Sequence, residues 1–286
     1  MDKQARRCES WIAGAVAAAA VASACSSQHR VRAETAVAQA LISDQEEERL
    51  GEQVHRELAK QGTRYLDDPI VVAYVTDTAA RILPFARKDR PNVRWHVHVV
   101  DDPKMVNAFA TPGGHLYIAS GLILATDSQA ELAGVLAHEA GHVVGRHSAR
   151  QIVTAMGLQA ATALALGDDP GLLAGLAASI AGQGALLAHS RSDEHEADQY
   201  GTRYASAAGF DPHGIVTFFS KLKARQGGGN TPAVLGWLST HPAPEDRIAR
   251  VNDYIREHRL GGSYLGRERL PAIKQRVLAA AQRRRM

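Results

Sequence analysis

The chain has 286 residues, 33 basic and 30 acidic, for a formal net charge of +3. So even a balance is not that of a nucleic-acid-binding protein, and the length suits one domain with a substantial core. Both cysteines, Cys8 and Cys25, fall within the first 25 residues, which excludes a disulfide-stapled fold and any cysteine nucleophile or ligand further along.

The chain opens with Lys3, Arg6 and Arg7, followed by an apolar, alanine-rich run from Trp11 to Ala22 that is too short to span a membrane. Val21-Ala22-Ser23-Ala24-Cys25 then places small residues before a cysteine. Residues 1–24 resemble a bacterial lipoprotein signal, with cleavage after Ala24 and a lipid on Cys25. Ala22 stands where leucine is usual, and Glu9 sets a charge near the apolar run. A plain secretory signal cut after Ala22-Ser23-Ala24 is the alternative, and both export the protein. Ser26 and Ser27 follow the cysteine, with no aspartate to suggest retention at the inner membrane. The expected place is the periplasmic face of a Gram-negative outer membrane.

Residues 25–43 read as a tether, 44–262 as the folded domain and 263–286 as a basic C-terminal helix or tail ending in Arg283-Arg284-Arg285. Ser43 with Glu46 caps a first helix to about Lys60, and Asp68-Pro69 opens a second to about Leu83. Val93 to Val100, with alternating β-branched residues, predicts a strand, and His96 and His98 on it read as ordinary sheet residues. Short strands follow at Asn107–Ala110 and His115–Ala119, separated by the Pro112-Gly113-Gly114 turn. A helical run from Ser128 to Thr154 starts on a Ser128/Glu131 capping box. Ala155 to Ala188 is rich in Ala, Leu and Gly but split by Asp168-Asp169-Pro170. Its arms, of roughly twelve and seventeen residues, fall short of a transmembrane span and predict a helical hairpin packed on the domain, near the membrane or over the cleft. Further helices open at Ser190, at Asp211-Pro212 and at Pro244, with Gln226-Gly227-Gly228-Gly229-Asn230 as a flexible loop. The sum is an α+β fold, mainly helical, with a small mixed β-sheet and an active-site helix.

That helix carries His138-Glu139-Ala140-Gly141-His142. His138 and His142 lie one turn apart on one face, the arrangement of two zinc ligands. Glu139 sits about 100° round from His138, within reach of a water activated at the metal, and reads as the general base. Gly141 is small enough to let another backbone approach. His147 falls about 140° from His142 on a continuous helix and is rejected as a ligand. A third ligand is required, and Glu194 in Ser190-Arg191-Ser192-Asp193-Glu194-His195-Glu196-Ala197-Asp198 supplies it. Asp198, one turn on, would accept the free ring N–H of a ligand histidine, His138 being the expected one. Glu196 lies about 200° from Glu194 and points elsewhere.

These motifs, with Ser239-Thr240-His241-Pro242 and Asn107-Ala108-Phe109-Ala110-Thr111-Pro112-Gly113-Gly114-His115, resemble the HtpX-like and CAAX prenyl protease-like gluzincins, which include the Oma-type mitochondrial proteases. The resemblance spans roughly Asp44 to Arg250 and points to small lipoprotein members of the bacterial envelope. It implies a zincin-like domain with one zinc per chain on His138, His142 and Glu194, and Glu139 as base and later proton donor. It implies that Asn107, Ala108, Phe109 and Ala110 form an edge strand that pairs with extended substrate. It also implies an active-site place for His241, with two roles open: oxyanion stabiliser, or occupant of the fourth zinc position in a closed state. Arg247 either helps orient the oxyanion or pairs with a carboxylate. The expected activity is zinc-dependent endoproteolysis of misfolded or misassembled envelope proteins, including outer-membrane proteins. The alternative is a strand-binding chaperone or assembly factor with dormant or secondary proteolysis.

Overall fold

The computed structural model describes residues 42–166, 170–183, 189–227, 237, 240, 241 and 244–283. The signal-like segment, Cys25, nearly all of the tether, Asp168-Asp169 and the Gly228-Gly229-Asn230 stretch lie outside these described residues.

Helix α1 (Asp44–Lys60) begins on the expected capping box, with Ser43 Oγ accepting from Glu46 N and the Glu46 carboxylate accepting from Ser43 N. Asp68 caps α2 (Pro69–Asp89) by accepting from the Ile70 and Val71 N–H groups. Helix α2 runs past the expected end at Leu83 because it accommodates Pro84 internally and buries Ala86 beyond it. Strands β1 (His96–Val100), β2 (Ala108–Thr111) and β3 (His115–Ala119) form a mixed sheet in the order β1-β3-β2. β1 runs parallel to β3, and β2 runs antiparallel to it, which leaves β2 at an edge.

Alternation along the strands separates two cores. Val99, Ala108, Ala110, Leu116 and Ile118 join the larger core, which α2 shares with α4 (Gln129–Val144). The opposite face carries His98, Phe109 and Tyr117 in one cross-strand row and packs against α1 in a smaller core. The short α3 (Ser120–Ala125) leads from β3 into α4.

Beyond α4, α5 (His147–Leu166) and α6 (Pro170–Gln183) form the two arms of the Ala/Leu/Gly region. Leu176, Ala177 and Ile180 of α6 enter the smaller core against α1, so this arm packs on the domain. None of the described helices is long and apolar enough to cross a membrane. Helices α7 (Arg191–Ala207), α8 (Gly214–Gly227) and α9 (Pro244–Glu257) follow, and α10 (Leu270–Arg283) returns to α2. Arg276 of α10 donates to the same Asp68 carboxylate that caps α2, tying the C-terminal helix to the start of α2.

Candidate active site

Helix α4 is buried from Gln129 to Val143, so it is an interior helix with no solvated stripe. Ser128 Oγ accepts from Glu131 N at 3.1 Å. The Glu131 carboxylate turns instead to Asp127 N and Lys221 Nζ, so only half of the expected capping box forms. The helix also stops earlier than its periodicity predicts. Val144 is its last residue, Gly145 caps it, and Arg146 takes a left-handed conformation with φ of 55°.

His138 and His142 point the same way as expected, with Nε2 atoms 3.0 Å apart and ring planes crossed at 86°. Helix α7 starts on a capping box between Ser190 and Asp193 and presents Glu194 and Asp198 to α4. Two glycines set this close approach. A Cβ on Gly141 would meet Ala197 O at 2.8 Å, and one on Gly201 would meet His138 N at 2.7 Å. The glutamate reaches both histidines: Oε2 lies 3.5 Å from His138 Nε2, and Oε1 lies 3.4 Å from His142 Nε2.

His241 completes the group. Its Nδ1 lies 3.0 Å from Glu194 Oε1 and 3.3 Å from His138 Nε2. A hydrogen bond from its own N–H to Trp237 O and a ring stack on Trp237 at 4.2 Å hold it there. The four ligand atoms all lie within 4.8 Å of one another, and all four residues are buried. A tetrahedral cation with ligand bonds of about 2.0–2.2 Å would set its ligand atoms roughly 3.3–3.6 Å apart. The donor set and its spacing therefore fit a small divalent cation.

The surroundings fix these side chains. Asp198 Oδ1 sits 3.0 Å from His138 Nδ1, as expected of a carboxylate that orients a ligand ring. Arg247 pairs with carboxylates: Nε and Nη2 donate to Asp198 at 2.8 and 2.6 Å, and Nη1 lies 2.5 Å from Glu194 Oε2. Its guanidinium stands 4.2 Å over the Phe219 ring. Burial opposes charge on His138, but hydrogen bonds to Asp198 and Glu194 outweigh it and raise its pKa to about 9. A field that favours a proton at this ring favours a metal cation for the same reason. Burial also opposes ionisation of Glu194, yet His241 and Arg247 hold it well below the usual carboxylate range.

Glu139 is fully buried, and burial pushes its pKa up. Neither of its oxygens has a hydrogen-bond partner among the described residues, and His241 Nε2 lies 3.4 Å from Oε1. A carboxylate so placed is poised to take up a proton.

Two further histidines lie against His142. His147 is not one of the four converging donors, but its Nδ1 lies 2.6 Å from His142 Nδ1. It reaches His142 because α4 ends at Val144; on a helix continuing past Gly145 the same ring would point away. His189 stacks on His142 with ring centres 3.8 Å apart. Its only sequence signal is that it precedes the Ser190 cap. His98 bonds to His115 across β1 and β3, on the sheet face away from α4. In the predicted substrate segment, β2 packs against α4, Phe109 stacks on Tyr117 at 4.6 Å, and Asn107 Oδ1 is buried without a hydrogen-bond partner among the described residues.

A helix bearing two histidines and a glutamate, crossed by a second helix that supplies a carboxylate to the same point, defines a metallopeptidase domain of the α+β class. Comparison with known proteins agrees: the model of peptidase family M48 matches residues 70–255, and the chain belongs to that family. It is 32% identical to the mitochondrial metalloendopeptidase OMA1 of Schizosaccharomyces pombe, over 74% of this chain and 61% of that protein. It is 31% identical to the beta-barrel assembly-enhancing protease of Yersinia pestis, over 64% of this chain and 38% of that one. For the Escherichia coli K12 protein of the same name, identity is 28% over 76% of this chain and 45% of that one. The chain thus spans between about two fifths and three fifths of these relatives' lengths.

Proposed function

We propose that the chain is a zinc-dependent endopeptidase of the bacterial cell envelope that cuts misfolded or misassembled outer-membrane proteins. The observation that carries this reading is the buried convergence of His138, His142, Glu194 and His241 beside a Glu139 whose oxygens accept no hydrogen bond among the described residues. His138, His142 and Glu194 would hold one zinc ion, with His241 at the fourth corner in a closed resting state. When bound, zinc supplies Lewis acidity that lowers the pKa of water and polarises a carbonyl. Glu139 takes the proton of the attacking water and later passes it to the leaving amine. Asp198 keeps the His138 ring oriented, and Arg247 neutralises the carboxylates behind the site. The outer edge of β2, which pairs with no other strand among the described residues, suits pairing with an extended substrate flanked by Asn107 and Phe109.

The envelope setting rests on two supports: the signal-like character of residues 1–24 before Cys25, and the names of the bacterial relatives. In this reading the lipid holds the protein on the outer membrane, facing the periplasm. A second reading, a strand-binding assembly factor with dormant proteolysis, is favoured by His241 filling the fourth corner.

The test compares wild type and Glu139→Gln, both lacking residues 1–25, for bound zinc and for casein cleavage. The reading expects equal zinc in both and a loss of about 10²–10⁴-fold in rate for the variant. In cells, the peptidase reading expects Glu139→Gln to abolish function, and the assembly-factor reading expects function to persist. Wild-type protein that takes up no zinc would sink both the ligand set and the enzyme.

A further inference from the structure

We infer that His147 is a positioning residue for His142, holding that ring in the orientation and tautomer that a metal ligand needs, with Glu196 and Arg150 behind it. The inference rests on the reading of His142 as a zinc ligand.

The contact has the geometry of a hydrogen bond. Nδ1 of His142 and Nδ1 of His147 are 2.6 Å apart, while the ring centres are 4.8 Å apart. The gap between centres is close to the nitrogen gap plus two ring radii, so both nitrogens lie near the line joining the rings. A lone pair meets an N–H along that line. The His138 and His142 Nε2 atoms differ: they are 3.0 Å apart with ring centres at only 4.6 Å, so their lone pairs converge to one side.

Proton bookkeeping then assigns every tautomer. A His142 that ligates through Nε2 carries its proton on Nδ1 and donates it to His147 Nδ1. His147 must therefore carry its own proton on Nε2. That nitrogen lies 3.2 Å from Glu196 Oε2, which accepts only. Arg150 Nη2 donates to the same Glu196 oxygen at 3.0 Å and to Asp193 at 2.6 Å, which anchors the acceptor. Each ligand histidine thus ends on a carboxylate. His138 reaches Asp198 directly, and His142 reaches Glu196 through one intervening imidazole.

The backbone is built for this contact. The turn at Gly145 and the left-handed Arg146 bring His147 back toward His142. A Cβ on Gly145 would lie 2.3 Å from His147 Nε2, so glycine leaves the ring its place. His147 is fully buried, and both of its ring nitrogens find a partner there, Nδ1 on His142 and Nε2 on Glu196.

The test is the zinc affinity of the full chain, measured by competition with a chromophoric chelator, for wild type, His147→Phe and His147→Gln. Wild type is expected to bind one zinc. His147→Phe fills the ring volume but accepts nothing, and is expected to bind zinc about 10–100-fold more weakly. His147→Gln offers an amide oxygen to His142 and is expected to recover part of the loss. The visible bands of the Co2+-loaded protein are expected to shift in His147→Phe. A purely structural role would change the melting temperature and leave the Co2+ bands and the zinc affinity of folded protein untouched. Equal affinity in wild type and His147→Phe overturns the inference and leaves the zinc reading standing; wild type without zinc overturns both. Should His147→Phe fail to fold, Glu196→Ala at the half-buried end of the relay carries the same test. Weaker zinc binding is then expected, and unchanged affinity overturns the inference.

Discussion

Nδ1 of His241 lies 3.3 Å from Nε2 of His138, although 103 positions separate the two residues. In the proposed closed state this ring would take the corner that a catalytic site leaves to water. Substrate and water would then enter only once it swings away, and the apparent rate would scale with the open fraction. His241→Ala is expected to retain zinc and to cleave casein faster, on the order of tenfold. A fall of about 10²–10³-fold would instead assign His241 to oxyanion stabilisation.

Arg247 is the cation that balances Asp198 and Glu194 in the interior. Arg247→Met keeps the packing over Phe219 but takes the guanidinium from two buried carboxylates and leaves them only their histidine contacts. Breaking such a group costs roughly 3–5 kcal/mol. The loss in melting temperature is expected to be large in chelator and smaller with zinc, whose charge also meets Glu194. Equal losses in both conditions would show that zinc and Arg247 do not share the same carboxylate.

Gly201 fixes the distance between the two site helices. Its substitution by Ala places a methyl 2.7 Å from a backbone nitrogen that has no rotamer to escape into. Overpacking of this kind costs typically 1–3 kcal/mol. Gly201→Ala is expected to lower both the melting temperature and zinc affinity, because any shift of α7 carries Glu194 with it. Full zinc affinity in a destabilised variant would separate helix packing from ligand placement.

The histidines on the other face of the sheet set an acid limit. Burial, then repulsion from neighbouring histidines, depresses His98 to about 4 and His115 to about 3. An unfolded histidine titrates near 6.5, so between those values the unfolded chain binds protons that the folded protein refuses. Stability therefore rises with pH across this window and is lost as pH falls from about 6.5 toward 4. Melting curves in chelator are expected to show this slope, and His98→Phe to flatten it. An unchanged slope would place the proton uptake elsewhere.

Legibility in the sequence followed the range of the interaction. Ser43 with Glu46 and Asp68 with Pro69 act within one turn and form the expected caps, and Glu194 and Asp198, one turn apart, face α4 together. His138 and His142 share a face because helical spacing alone decides it. What failed depended on partners far along the chain. Helix α2 outlasts Pro84 because burial of Ala86 and contacts of Asp89 with Arg203 and Tyr204 offset a missing N–H. The end of α4 turned on one residue, Arg146, in a left-handed conformation, and its guanidinium pairs with Glu47 of α1. Without that turn a continuous helix would carry His147 away from His142. The stacking of His189 on His142 joins positions 47 residues apart and leaves no periodic trace.

The burial of α4 on every side bears on how the chain tolerates change. An ordinary amphipathic helix alternates forgiving and unforgiving positions with its own period. From Gln129 to Val143 there is no wet face to absorb a polar or larger side chain. Random mutagenesis would register here as one unbroken block of intolerance, in which the signature of chemistry at His138, Glu139 and His142 is indistinguishable by severity from that of packing at Leu132 or Ala137. Only assays that separate zinc loading from folding would pull the two apart.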